Sequence, residues 1–304
     1  MLPQLSGDRL FVTDGGLETT LIFHQGIDLP YFAAFTLLED EAGAEALRRY
    51  YEPYLAIARE RGTGIVLDSP TWRASRDWAE RLGYSPEQLA EANRRAVALI
   101  EGLREPGIPV VLNGVVGPRG DGYVVGEAMT AEQAEAYHAE QIGTFATTAA
   151  DMVSAITMTY AEEAIGITRA AKAAGLPAVI SFTVETDGRL PSGQPLREAI
   201  EQVDAATAAS PAYYYMINCA HPTHFQAVLE DGPWLERIGG LRANASTMSH
   251  AELDEATELD EGDPQQLAAD YRALRDRLPK ACVLGGCCGT DDRHVAAIAE
   301  AWVR

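Results

Sequence analysis

Eight short apolar runs punctuate the chain, and their spacing limits what it can fold into. They are RLFVTDGG (9–16), GIVLDSP (64–70), PVVLNGVVG (109–117), DMVSAITM (151–158), PAVISFTV (177–184), YYYMINCA (213–220), IGGLRANAS (238–246) and CVLGGCCG (282–289). They are rich in β-branched and aromatic residues, and most run into Gly, Pro, Asn or Ser, as buried strands do where they meet loops. The segments between them read mostly as helices, at 41–62, 85–103, 130–150, 160–175, 263–278 and 291–303. The first places Leu47, Tyr51, Tyr54, Leu55 and Ala58 at helical spacing, and the second opens with Ser85 as a cap and Pro86 at the first helical position. Strands alternating with helices over 304 residues predict the α/β class, a (β/α)8 TIM barrel, as a single domain over 1–304. An open doubly wound sheet is the competitor. It would favour a GxGxxG turn after the first strand, where the sequence instead reads DGGLETT.

A barrel gathers the C-terminal ends of its strands on one face, and active sites lie there. The unusual residues of this chain fall at or just past those ends: Asp14-Gly15-Gly16, the 69–75 stretch, Asn218-Cys219 and Cys287-Cys288. Successive side chains of a strand point to opposite faces. Cys287 and Cys288 can therefore aim at one point only beyond the strand end, and Gly285, Gly286 and Gly289 allow the turn. Cys219 ends the sixth strand and the pair ends the eighth, so closure brings three thiols to one rim. Cys282, at the start of the last strand, reads as a small core residue. Three converging thiolates suit zinc, and a three-ligand site leaves a fourth position open for chemistry. His221 and His224 are rival ligands. A buried or redox cysteine pair is the plain alternative.

Composition narrows the partners. The chain is 47% hydrophobic and 23% charged, with a formal net charge of −21. That charge repels phosphate backbones, so nucleic acid is not an expected partner. No membrane partner is expected either: no apolar run approaches the roughly 20 residues that span a bilayer. The N-terminus carries no charged region leading into an apolar one, so a cytoplasmic location is expected. Thiols stay reduced there, which favours metal binding or catalysis over disulfides.

At the cysteines the sequence resembles the homocysteine S-methyltransferase family. The resemblance rests on INC (217–219) and GGCCGTDDRH (285–294), with support from DGGLETTL (14–21), NGVVGPRG (113–120), SFTVETDGRLPSGQPL (181–196) and NCAHP (218–222). It implies a barrel in which Cys219, Cys287 and Cys288 hold Zn2+ beside an acceptor thiol. The implied reaction moves a methyl group from a sulfonium or quaternary ammonium donor, such as S-methylmethionine, S-adenosylmethionine or a betaine, to homocysteine or a related thiol. Small-molecule donor and acceptor are thus the expected partners, and methionine biosynthesis the expected setting. A divergent zinc-binding barrel without activity, or a subunit fed by a separate corrinoid protein, are the alternatives.

Three departures bear on the substrate. The family's strand-four Phe-Glu-Thr, whose Glu holds the acceptor's amino group, is here Ala155-Ile156-Thr157. Glu162 or Glu163 are the nearest substitutes, though both read more simply as exposed helix residues. Strand two ends Ser69-Pro70-Thr71-Trp72-Arg73-Ala74-Ser75, and strand seven carries LRANAS (241–246). The metal centre is therefore expected to be kept and the acceptor pocket rebuilt. Asn218 is expected to orient the bound sulfur or its loop, and Thr157 to lie near the acceptor. Backbone N–H groups of Asp14, Gly15 and Gly16 are candidates for a substrate carboxylate, and Arg73 for an anionic group. Trp72 is the first candidate to face a cationic methyl donor, ahead of Phe32, Phe35 and Tyr160. His294 is expected at the start of the last helix. No arm or coiled coil indicates an assembly.

Overall fold

A computed structural model describes residues 2–7 and 9–303. In it eight parallel strands close into a barrel in sequence order, from β1 to β8. The strands are β1 (Phe11–Val12), β2 (Gly64–Asp68), β3 (Val110–Val116), β4 (Met152–Met158), β5 (Ala178–Phe182), β6 (Tyr214–Asn218), β7 (Ile238–Ala243) and β8 (Val283–Gly286). Closure is made by β1, which pairs Phe11 with both Gly64 and Val283, and Val12 with both Ile65 and Leu284. Each apolar run of the sequence thus contains a strand. Most strands are shorter than their runs because the last residues of the run already turn; β4 alone continues to the end of its run at Met158. The fold is the predicted (β/α)8 barrel.

The α-helices are α1 (Leu17–Thr19), α2 (Glu41–Arg61), α3 (Arg76–Arg81), α4 (Pro86–Glu101), α5 (Ala131–Phe145), α6 (Ala161–Ala174), α7 (Leu196–Ala206), α8 (Pro222–Phe225), α9 (His250–Glu255), α10 (Pro264–Leu274) and α11 (Asp292–Val303). The six predicted helices form within a few residues of their expected limits. Ser85 caps α4 as read from the sequence, exchanging hydrogen bonds with Gln88. Helix α7 lay outside the sequence reading. It buries Leu196, Ala199, Ile200 and Val203, a helical stripe, but starts from Pro195 without a side-chain cap to announce it.

Strand alternation sorts the barrel interior from its outer shell. On β2, Ile65 and Leu67 pack outward with the helices, and Val66 packs inward with Phe11, Val111, Met152, Tyr214 and Val283. Leu2 joins this inner cluster. Each fully buried aliphatic or aromatic side chain contributes roughly 1.5–3 kcal/mol. The same alternation turns Asp68 at the end of β2 and Arg242 near the end of β7 into the barrel, where a charge is expensive unless paired. No helix among the described residues is long and apolar enough to cross a membrane.

Candidate active site

The strand ends surround a cavity of about 190 Å³. Its lining includes Asp14, Gly15, Gly16, Glu18, Phe32, Asp68, Trp72, Arg73, Asp121, Tyr123, Ile156, Thr157, Cys219, Arg242, Asp254, Cys287 and Cys288. Cys219, Cys287, Cys288, Asp14, Gly15, Gly16, Trp72, Arg73 and Thr157, all nominated from the sequence, line this cavity, and Asn218 lies fully buried just beneath it.

The three cysteines meet. Their Sγ atoms all lie within 4.8 Å of one another. Cys219 Sγ is 2.7 Å from Cys287 Sγ and 3.7 Å from Cys288 Sγ. The Tyr123 hydroxyl stands 3.6 Å from Cys288 Sγ and 3.9 Å from Cys219 Sγ, and its ring stacks on His250 at 4.0 Å between centroids. The thiols are not equivalent. Hydrogen bonds from Cys219 and Cys288, helped by the charge of Arg242, hold Cys287 well below the ordinary thiol value. Cys219 is pushed well above it, chiefly by its hydrogen bond to Cys287. The hydrogen bond of Cys288 to Cys219 lowers its value, but Cys287 and burial outweigh that and raise it. The protein's own groups thus stabilise one thiolate among three sulfurs. Three could coexist only around a cation, and soft sulfur donors converging on a cavity fit a soft or borderline divalent ion.

Backbone geometry at the strand ends aims these groups. Cys219 has φ of 53° and Thr157 φ of 67°, left-handed values that L-residues avoid unless held. Both are held. The Cys219 carbonyl accepts from His250 Nε2 at 2.7 Å, from Asn244 Nδ2 at 3.1 Å and from Thr183 Oγ1 at 3.4 Å. Asn218 Oδ1 accepts from the Thr157 amide at 3.0 Å and from Ser181 Oγ at 2.6 Å, while its Nδ2 donates to Thr157 Oγ1 at 2.8 Å. Its Nδ2 also lies 3.9 Å from Cys287 Sγ. One asparagine therefore ties the ends of β4, β5 and β6 together under the sulfurs.

Beneath the pocket lies a buried ion cluster. Arg242 Nη2 donates to Asp14 Oδ1 at 2.5 Å, its Nη1 donates to Asp68, and its Nε donates to the Gly286 carbonyl at 3.2 Å. Asn113 Nδ2 donates to Asp68 at 2.6 Å and Tyr50 to Asp14 at 3.0 Å. Burial pushes Asp14 up to about 7 against the opposing pull of Arg242.

A profile of the homocysteine S-methyltransferase family matches residues 11–302. The chain belongs to that family. It is a methyltransferase, and the methyl acceptor in the family chemistry is a thiol. Three crystal forms of the homocysteine methyltransferase MmuM from Escherichia coli share its fold. The oxidized form is 20% identical with a TM-score of 0.76, covering 98% of each chain. The metallated form is 19% identical with a TM-score of 0.73, covering 97% of this chain and 96% of that one. The apo form is 19% identical with a TM-score of 0.68, covering 99% and 98%. No curated protein sequence matches the chain.

In this member of the homocysteine S-methyltransferase family some expectations are met and others are not. The Gly15 and Gly16 amides are not free to hold a carboxylate. The Gly16 N–H donates to the Thr290 carbonyl at 2.9 Å, and the Gly15 N–H bonds to the Tyr54 hydroxyl. The rival metal ligands stand aside: His221 Nδ1 bonds to Thr223 and His224 Nε2 to the Thr247 carbonyl. His294 sits in the first turn of α11, bonded to Asp291 and to the Glu261 carbonyl. Cys282 is spent on the Gln4 carbonyl, away from the other three. Of the aromatic candidates, Trp72 and Phe32 line the cavity. Phe35 is core, and Tyr160 is turned away to accept from the Met129 amide.

Ile156 does line the pocket, so β4 presents no carboxylate to it. Neither substitute replaces one. Glu162 accepts from Gln202 at 2.9 Å. Glu163 is not exposed: it is 1% accessible and pairs with His138 at 2.9 Å. Nor is Arg73 a solvated loop residue, since its guanidinium lies 3.9 Å from each of the Trp72 and Trp78 rings. Sequence reasoning missed Glu18, Tyr123, His250 and Asp68, and assigned no part to Arg242. The available signal was a charge inside an apolar strand run, as in GIVLD and IGGLRA; Glu18 and Tyr123 carry no such signal.

Proposed function

We propose that this protein is a zinc-dependent S-methyltransferase, moving a methyl group from a sulfonium or quaternary ammonium donor to a thiol, homocysteine or a relative. The observation that carries the reading is the convergence of the Cys219, Cys287 and Cys288 sulfurs on the floor of the cavity. Zinc held by three thiolates would lower the pKa of an arriving thiol from about 8.5 and leave its sulfur nucleophilic.

The remaining work belongs to the chain. Asn218, bonded to Thr157 and next to Cys219, fixes where an incoming sulfur meets the strand ends. Trp72, Phe32 and Tyr123 give the cavity aromatic faces that attract an onium methyl group. The Trp72 indole is locked by a hydrogen bond of 3.1 Å to the Ile156 carbonyl. In the transfer, the carbon–heteroatom bond of the donor breaks as the sulfur–carbon bond forms. The leaving sulfide or amine departs neutral with the electron pair, and the acceptor's thiol proton goes to solvent. No dedicated side-chain base is required, and no histidine lines the cavity.

The test is metal analysis together with a methyl-transfer assay. Protein purified without chelator should hold close to one zinc per chain and methylate homocysteine or a related thiol from S-methylmethionine, S-adenosylmethionine or betaine. Cys287→Ala should lose both properties. A chain that takes up no zinc, or a Cys287→Ala enzyme that turns over normally, would overturn the proposal.

A further inference from the structure

Of the seven charged residues lining the cavity, Asp121 and Asp254 are exposed to solvent, Asp121 accepting from the Tyr123 and Val124 amides, three more answer one another, and the two that remain lie deeper without an ion-pair partner. Arg242 answers Asp14 and Asp68. Glu18 is half-buried on the wall, and no other described residue gives it a hydrogen bond or ion pair; its backbone amide is its only hydrogen-bond donor. Arg73 is 5% exposed and has no carboxylate within ion-pair distance among the described residues. Its Nη1 donates to the Gly120 carbonyl at 2.9 Å, and its Nε is buried without a partner. Its guanidinium carbon lies 3.9 Å from the centroids of both the Trp72 and Trp78 rings, contacts that hold it at the wall. The two residues feel each other's charge but do not pair.

A buried guanidinium and a half-buried carboxylate left unpaired on one cavity wall are costly unless a ligand completes them. We propose that Glu18 and Arg73 together form a clamp for a zwitterion, Glu18 receiving the ammonium and Arg73 the carboxylate of an amino-acid thiol acceptor. This rests on the thiol-methyltransferase reading and deepens it by naming the residues that select the acceptor.

Position favours the acceptor over the donor. Glu18 lies between two residues that touch the cysteine turn. A Cβ at Gly16 would stand 2.7 Å from the Cys287 carbonyl oxygen, and Thr19 Oγ1 accepts from the Gly289 amide at 3.2 Å. A group held here is next to the sulfurs, where the acceptor must sit. The donor must approach the acceptor sulfur from the opposite side, because the bond that breaks lies in line with the one that forms. Burial supports the assignment: it pushes Glu18 up to about 7 and Arg73 down to about 10, as expected of charges lacking their counter-ions.

The test compares three thiols at saturating donor: homocysteine, γ-mercaptobutyrate, which lacks the amine, and γ-mercaptopropylamine, which lacks the carboxylate. The native enzyme should favour homocysteine in kcat/KM by about tenfold or more over each. Glu18→Gln should abolish the preference over γ-mercaptobutyrate, and Arg73→Met the preference over γ-mercaptopropylamine. Glu18→Gln carries the test alone if Arg73→Met does not fold. Equal losses on all three thiols, or a shift confined to the KM of the donor, would overturn the clamp. Norleucine binding, followed by tryptophan fluorescence, reads the same site without turnover. If no thiol is methylated yet norleucine binds and Glu18→Gln weakens it about tenfold, the clamp stands and the methyl-transfer reading falls. If thiols are methylated and neither preference nor norleucine affinity responds to Glu18→Gln, the clamp falls and the methyl-transfer reading stands.

Discussion

Arg242 of β7 reaches through the barrel to the carboxylate of Asp14 just past β1, 2.5 Å away, and so couples two strands that are not neighbours in the sheet. Asp68 takes the other guanidinium nitrogen, and the Gly286 carbonyl takes Nε. Breaking a buried ion cluster from one side is more harmful than never building it. Arg242→Met should destabilise the protein by about 3–5 kcal/mol, read by chemical denaturation, because two buried carboxylates lose their counter-ion. Adding Asp14→Asn and Asp68→Asn should recover part of that loss. A drop below about 1 kcal/mol for Arg242→Met would contradict this account.

Gly16 is required by close approach, not by a special backbone angle. A Cβ there would fall 2.7 Å from the Cys287 carbonyl oxygen, a backbone atom that cannot move aside without carrying the cysteine turn with it. Gly16→Ala should therefore leave the barrel folded by circular dichroism but weaken zinc binding at least tenfold, the scale seen when groups supporting a metal site are displaced. Native zinc affinity in a competition titration would refute the close-approach argument.

Asn218 is a positioning residue. Asn218→Ala strips partners from the Thr157 amide, the Thr157 hydroxyl and Ser181, all buried, and should cost about 2–4 kcal/mol of stability. A purely structural role would stop there. A positioning role also predicts lower kcat at unchanged donor KM, since the left-handed turns at Thr157 and Cys219 would relax. Stability loss without any kcat change would leave Asn218 as packing only.

Asp291 links the cysteine turn to α11. It bonds His294 at 2.9 Å and Arg293, and its Oδ1 accepts from the Arg293 amide at 3.0 Å, as an N-cap does. Burial works against its charge, but the bonds to His294 and Arg293 prevail and hold its carboxyl well below the usual range. A depressed carboxylate stabilises the fold above its unfolded pKa of about 3.9 and loses that stabilisation as pH falls. Asp291→Asn keeps a capping side chain and removes the charge. It should lower stability by about 1–3 kcal/mol at pH 7, with the difference from native closing below about pH 3. A gap that persists unchanged into acid would show that the charge is not what Asp291 supplies.

The sequence by itself determined the barrel and the sulfur centre. Eight apolar runs separated by helical stripes leave few ways to bury every strand, and Cys219, Cys287 and Cys288 stand at run ends that barrel closure must bring to one rim. Their chemistry is local to their residue type, so position along the chain was enough. The tertiary structure alone decided the pocket's charge pattern. Asp14 and Asp68 are spent on Arg242, Glu163 on His138, and the Gly15 and Gly16 amides on Tyr54 and Thr290. Glu18 and Arg73 remain without such partners. Whether a charge is available to a ligand depends on what folds against it, and those neighbours are distant in sequence: 228 positions separate Asp14 from Arg242.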